Sequence, residues 1–171
     1  MSTALLIGTT ACSSDDKTSG EAPAAAAAGQ TSTTPSAAAD IPAAEVVTGL
    51  TGAGYKCGRD GDYAICTTGP VAVWVLTGDH KRAPVISLHS LGSAATATSE
   101  IGKVLPKALE IAHVVPAAPI VEWFGQQSGK TTAQVVEGDW QVELSVEVDT
   151  EEPGAHLSLM DRLCKADCTA E

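Results

Sequence analysis

The sequence predicts an α+β fold, an antiparallel sheet with helices packed on one face, preceded by a disordered tether. Three observations carry that expectation. Trp140, Val142, Leu144, Val146 and Val148 alternate with Gln141, Glu143, Ser145, Glu147 and Asp149, the period-two pattern of a strand with one buried and one solvated face. Ile101, Val104, Leu105, Ala108, Ile111 and Ala112 recur instead at helical spacing. From Ser13 to Asp40 there is no large apolar residue at all, so that stretch has nothing to bury against its ordering entropy.

In chain order, Asp40 is placed to cap a first helix with Pro42 in its opening turn. Val46, Val47 and Leu50 then share a face, and Gly54 suits a left-handed stop. Extended segments follow. Tyr55 to Arg59 and Tyr63 to Thr67 flank Asp60-Gly61-Asp62, and Val71 to Leu76 precedes Val85 to Leu91 with Gly78-Asp79 as the turn. The long helix is capped at Thr98 or Ser99 and is expected to kink or break at Pro106. After Pro116 and Pro119 another helix carries Ile120, Val121 and Phe124 and ends near Gly129. Thr131 to Val136 turns at Gly138-Asp139 into the Trp140 strand, and Ala155 to Met160 completes the sheet. The chain of 171 residues thus divides into a signal-like segment (1–12), a tether rich in Ala, Ser, Thr and Pro (13–40) and one α+β domain (41–171). About 28 residues of flexible tether reach on the order of 30 Å.

The amino terminus is the most specific part. Ala4 to Ala11 is a short apolar run closing on small residues and Cys12, followed at once by Ser13, Ser14, Asp15 and Asp16. The run is too short to span a bilayer as a helix, and small residues are what a signal peptidase accepts. Thr9-Thr10-Ala11-Cys12 stands where bacterial lipoprotein signals place their lipobox. The chain opens Met1-Ser2-Thr3 without the Lys or Arg usual in such signals, and Thr9 stands where Leu is usual. With the Ala/Ser/Thr-rich tether, a helix leading into a Gly-Tyr-x-Cys hairpin and a late Trp before further strands, the layout resembles small actinobacterial lipoproteins of uncharacterised function. That resemblance implies lipidation at Cys12, a membrane partner reached through the lipid anchor, and a place on the outer face of the cell membrane.

The remaining cysteines, Cys57, Cys66, Cys164 and Cys168, form an even set, as expected in an oxidising compartment. If Gly61-Asp62 is a two-residue turn, Asp60 faces Tyr63, Arg59 faces Ala64, and Cys57 faces Cys66 at a closely spaced position. Of the three connectivities open to four cysteines, this register favours Cys57 with Cys66 and Cys164 with Cys168. Cys164 and Cys168 are separated by three residues, against two in the oxidoreductase motif, and no βα unit precedes them.

Other chemistry finds little support. The domain carries 17 acidic and 9 basic side chains, net −8, which disfavours nucleic acid and an anionic leaflet as partners. Gly125-Gln126-Gln127-Ser128-Gly129-Lys130-Thr131 has one residue too few between its glycines for a phosphate loop, and a strand follows it. His80, His89, His113 and His156 show no metal-ligand spacing, so no metal and no cofactor is expected. No nucleophile elbow is present. The run Glu137, Asp139, Glu143, Glu147, Asp149, Glu151 and Glu152 reads as a solvated acidic sheet face, able to hold cations or a basic partner weakly. Trp123 and Trp140 are in phase with apolar neighbours and read as core. If all three tryptophans, Trp74 included, were exposed together, they could stack on sugar rings.

The function expected from these features is a membrane-tethered extracytoplasmic binding or interaction module for an unknown protein or small-molecule ligand, without chemistry of its own. The alternatives are an exported hydrolase with a site dispersed in sequence, and a protein-inhibitor or sensor domain.

Overall fold

A computed structural model of the chain describes residues 40–148 and 151–168. The signal-like segment with Cys12, tether residues 13–39, and Asp149 lie outside the described residues. Ten elements follow one another: α1 (Ala43–Gly52), β1 (Lys56–Asp60), β2 (Tyr63–Thr68), β3 (Val71–Leu76), β4 (Val85–Leu91), α2 (Ala94–Ile111), α3 (Ala117–Gly125), β5 (Thr132–Glu137), β6 (Trp140–Glu147) and β7 (Gly154–Asp161). The strands form one antiparallel sheet in the order β1-β2-β3-β4-β7-β6-β5. The chain walks inward from one edge to β4, crosses through α2 and α3 to the far edge, and walks inward again. Thus β4 meets β7 at the centre, with His89 opposite His156 and Leu88 opposite Leu157.

One face of this sheet is covered. Val73, Val75, Ile86, Leu88, Val142, Leu144, Leu157 and Leu159 are buried with Val46 and Leu50 of α1, Ile101, Leu105 and Leu109 of α2, and Ile120 and Phe124 of α3. Because strand side chains alternate, placing these residues under the helices turns Tyr63, Trp74, Ser87, His89, Glu143, Ser145, His156 and Ser158 to the opposite face. The α+β architecture with helices on one face is therefore present. Among the described residues no helix is long and apolar enough to cross a membrane.

Several helix ends depart from the sequence expectation. Asp40 does not cap α1; Pro42 takes the cap position, without any side-chain cap bond. Proline biases the residue before it toward extended backbone, so no helix starts at Ile41. The exit of α1 is as expected: Gly54 has φ +92°, Tyr55 N–H donates to the Leu50 carbonyl at 3.1 Å, and Gly54 N–H donates to that of Thr51 at 3.0 Å. Helix α2 is capped by Ser93, whose hydroxyl accepts from Thr96 N–H at 3.3 Å, rather than by Thr98 or Ser99. The small residues ahead of Ala97 hid its first turn, because alanine adds little to an apolar pattern while favouring helix. Pro106 lies inside the unbroken span of α2. Helix α3 stops at Gly125, and Gly129, at φ +78°, serves the following turn. Between β3 and β4 the chain needs residues 77–84 rather than a tight Gly78-Asp79 turn.

The β1–β2 hairpin has the register derived from its turn, pairing Asp60 with Tyr63, Arg59 with Ala64 and Cys57 with Cys66. Disulfides join Cys57 to Cys66 and Cys164 to Cys168, at Cα separations of 4.0 and 5.8 Å. Two disulfides in a domain of this size point to an oxidising, extracytoplasmic environment.

Candidate functional site

The uncovered face of the sheet is where side chains of chemical interest converge. Four rings form a row across β2, β3, β4 and β7. Tyr63 meets Trp74 edge-on, with ring centroids 5.6 Å apart. Trp74 lies 4.7 Å from His89, tilted by 33°. His89 and His156 stack at 4.1 Å and 18°. His89 and His156 face each other directly across strands about 4.8 Å apart, whereas Tyr63 with Trp74 and Trp74 with His89 are diagonal neighbours, two residues off register, which long aromatic side chains can bridge. Only the His89 and His156 rings lie face to face.

Packing sets the protonation of this row. Burial pushes the His89 imidazole down to about 4, with the adjacent His156 adding to the shift. Burial also lowers His156, opposed by the nearby Glu143 and Glu147 carboxylates. Both rings are therefore neutral at pH 7. His89 Nε2 lies 3.3 Å from Ser87 Oγ, the one Ser–His contact on this face among the described residues. Ser87 is only 4% exposed, so this hydroxyl is poorly placed to attack a substrate, and no carboxylate accepts a hydrogen bond from His89 among the described residues.

The next strand, β6, continues the face with different chemistry. Ser145 stands directly opposite His156, and Glu143 and Glu147 stand two residues to either side of it. Glu143 Oε1 accepts from Gln141 Nε2 at 2.6 Å. Neither Glu143 nor Glu147 forms an ion pair among the described residues. Thr132 of β5 faces Ser145 from the other side. A shallow hollow of about 330 Å³ lies here, lined by Thr132, Gln134, Glu143, Ser145, His156 and Ser158.

A second polar cluster lies at the end of the sheet where β6 begins and β7 ends. Arg82, in the β3–β4 connection, donates from Nε to Asp161 Oδ2 at 2.7 Å and from its terminal nitrogen to Oδ1. Asp139 lies 3.6 Å away, and the guanidinium sits 4.9 Å from the Trp140 ring centroid. The cluster ties the β3–β4 connection and the β5–β6 turn to the end of β7, and Arg82 has its carboxylate partners already in place.

The remaining candidates disperse. Trp140 is buried in the core, Trp123 is half-buried on α3, and Trp74 alone joins the open face, so the three tryptophans make no common platform. Of the acidic run, Glu143 and Glu147 reach this face while Asp139 turns to Arg82. Lys130 Nζ donates to Gln127 Oε1 at 2.8 Å, as in an ordinary helix-to-strand turn. Among the described residues no group of three or more metal-ligating side chains occurs. What sequence reasoning missed is the pairing of His89 with His156 and the ring row built on it. The available signal was that each histidine falls on the polar phase of its strand, beside Ser87 and Ser158 respectively. Comparison with protein families, curated proteins and solved structures finds no match for the chain.

Proposed function

We propose that this protein is a lipid-tethered extracytoplasmic binding module, of the small actinobacterial lipoprotein kind, whose ligand surface is the open face of the sheet. The observation that carries this reading is the uncovered face itself, where a row of aromatic and imidazole rings runs into hydroxyls and two carboxylates without an ion-pair partner among the described residues. An apolar-cored domain gains nothing in stability from leaving unpaired carboxylates in a line beside ordered rings, whereas a recognition surface uses both. The two disulfides and the apolar run ending at Cys12 support export and attachment. A hydrolase is the weaker reading because the Ser–His contact found on this face among the described residues involves a buried hydroxyl.

Two measurements test the proposal. Intact mass of the membrane fraction should give a mature chain beginning at acylated Cys12, and a Cys12→Ala protein should leave that fraction. Full-length protein should capture a partner from envelope extract, and Trp74→Ala, shown to be folded by circular dichroism, should lose it. Capture that is indifferent to Trp74→Ala and to substitutions at Glu143 would place the ligand surface elsewhere.

A further inference from the structure

The ring row stops at β7, two strands short of the β5 edge of the sheet. From Tyr63 to His156 each strand supplies a ring, and at the next strand the row meets Ser145, too small to cover the outer face of the His156 imidazole. Beyond it stands Thr132. Two strand spacings separate β7 from β5, about 10 Å. A planar group standing over Ser145 would therefore lie about 5 Å from each wall, close to stacking distance on His156. The hollow described above occupies this place, with Glu143 but not Glu147 among its lining residues.

The flanks of the gap define what fits. Glu143 and Glu147 bracket Ser145 along β6, and both act electrostatically on His156. The register places Lys56 on this face too, but on β1, at the opposite edge of the sheet. His156 Nε2 is buried without a hydrogen-bond partner among the described residues. An anion is repelled here, and a neutral ring leaves both carboxylates unpaired. An ammonium satisfies charge but has no flat face to lay on imidazole. A guanidinium is flat, cationic, able to stack on His156, and able to donate to the Glu143 carboxylate, with Glu147 adding its charge from farther along β6.

We infer that the gap over Ser145, between His156 and Thr132 and bracketed by Glu143 and Glu147, is a slot for an arginine side chain of a partner polypeptide. This rests on the reading of the open face as a ligand surface and names its partner. A polypeptide is favoured over a free small molecule because the hollow is shallow, whereas small-ligand pockets enclose most of their ligand. Exposed Val136 of β5 and Leu91 of β4, 51% and 67% accessible, lie on the same face and offer apolar contact to a longer chain. The domain's net charge of −8 draws a basic segment toward it.

The test uses the full-length protein and a short blocked peptide of glycine and serine carrying one arginine, with lysine and citrulline counterparts. Amide and imidazole NMR shifts are followed at Thr132, Ser145 and His156. The arginine peptide should give saturable shifts centred on these residues and bind roughly tenfold more tightly than the lysine peptide, with the citrulline peptide not saturating. Glu143→Gln and Glu147→Gln should each weaken binding by about three- to tenfold. Ser145→Phe, shown to be folded by circular dichroism, should fill the slot and abolish binding. Equal binding of arginine and lysine peptides, or full binding by Ser145→Phe, would overturn the slot. If envelope capture through the open face persists and the arginine peptide does not compete with it, the binding module stands and the slot falls. If capture never involves this face, the module falls while the peptide titration still reads the slot.

Discussion

Arg82→Ala asks how much the loop cluster at the end of the sheet depends on one desolvated cation. The Arg82 and Asp161 side chains are only 12% and 8% exposed, and they form a two-pronged charge-assisted pair. Removing the arginine leaves the Asp161 carboxylate buried with Leu163 N–H as its remaining donor, at 2.8 Å. Truncating one partner of a buried pair costs about 3–5 kcal/mol, and the surviving N–H puts this case near the lower end. Loss of the guanidinium from the Trp140 face adds about 0.5–1 kcal/mol. For a domain of this size a total of about 4 kcal/mol corresponds to a melting temperature lower by roughly 10–15 °C. Asp161→Asn keeps the shape and leaves Asp139 beside Arg82, so about 1–2 kcal/mol is expected. Replacing the pair together by Met and Leu should be nearly neutral. Burial tends to raise the Asp161 carboxyl, but its hydrogen bonds to Arg82 and Leu163 N–H and the Arg82 charge outweigh that and hold it below its ordinary value. The stability it contributes is thus full above the unfolded-state value and lost as the pH falls through the folded one. Urea melts of wild type, Arg82→Ala, Asp161→Asn and the variant carrying both substitutions give the coupling directly. A cycle in which the two single penalties simply add, or an Arg82→Ala loss below about 0.5 kcal/mol at pH 7, would refute this account of the cluster.

Two further outcomes are expected. Removing the Cys57–Cys66 bridge as a double alanine variant should lower stability by about 2–3 kcal/mol at most, since the closed loop is short and the hairpin's strand pairing does not require it, with far-ultraviolet circular dichroism unchanged; non-reducing peptide maps of the wild type should show no fragment joining Cys57 to Cys164 or Cys168. Because His89 titrates at about 4 in the fold and near its ordinary 6.5 when unfolded, protons bind the unfolded chain first, so stability present above about pH 6.5 should decline toward pH 4. Partial exposure reduces the change between pH 7 and pH 5 to about 1 kcal/mol. A His89→Gln protein that loses as much stability over that interval as wild type would remove the explanation.

The sequence alone determined the elements whose signals are local. The β6 strand is written in its alternation, which stays in phase over eight residues and fixes which side of the strand is buried. The β1–β2 register follows from a two-residue turn, and Cys57 opposite Cys66 follows from the register. The stop of α1 at Gly54 follows from the left-handed backbone that glycine accepts without cost. Helix starts were less legible, because Ser93, Thr98 and Ser99 carry the same capping chemistry and only packing of Ala97 and Ile101 against the sheet selects among them. The open-face site lay beyond local reading altogether. His89 and His156 are 67 residues apart, and they stack because β4 and β7 become neighbours at the centre of the sheet. That pairing is decided by where the α2–α3 crossover delivers the chain, a choice made by burying helices against one whole face rather than by any segment's own preference. The same choice leaves Ser145 beside the ring row with a carboxylate on either side of it. Alternation could say that Glu143, Ser145 and Glu147 share a face, but only tertiary structure could say what stands across from them.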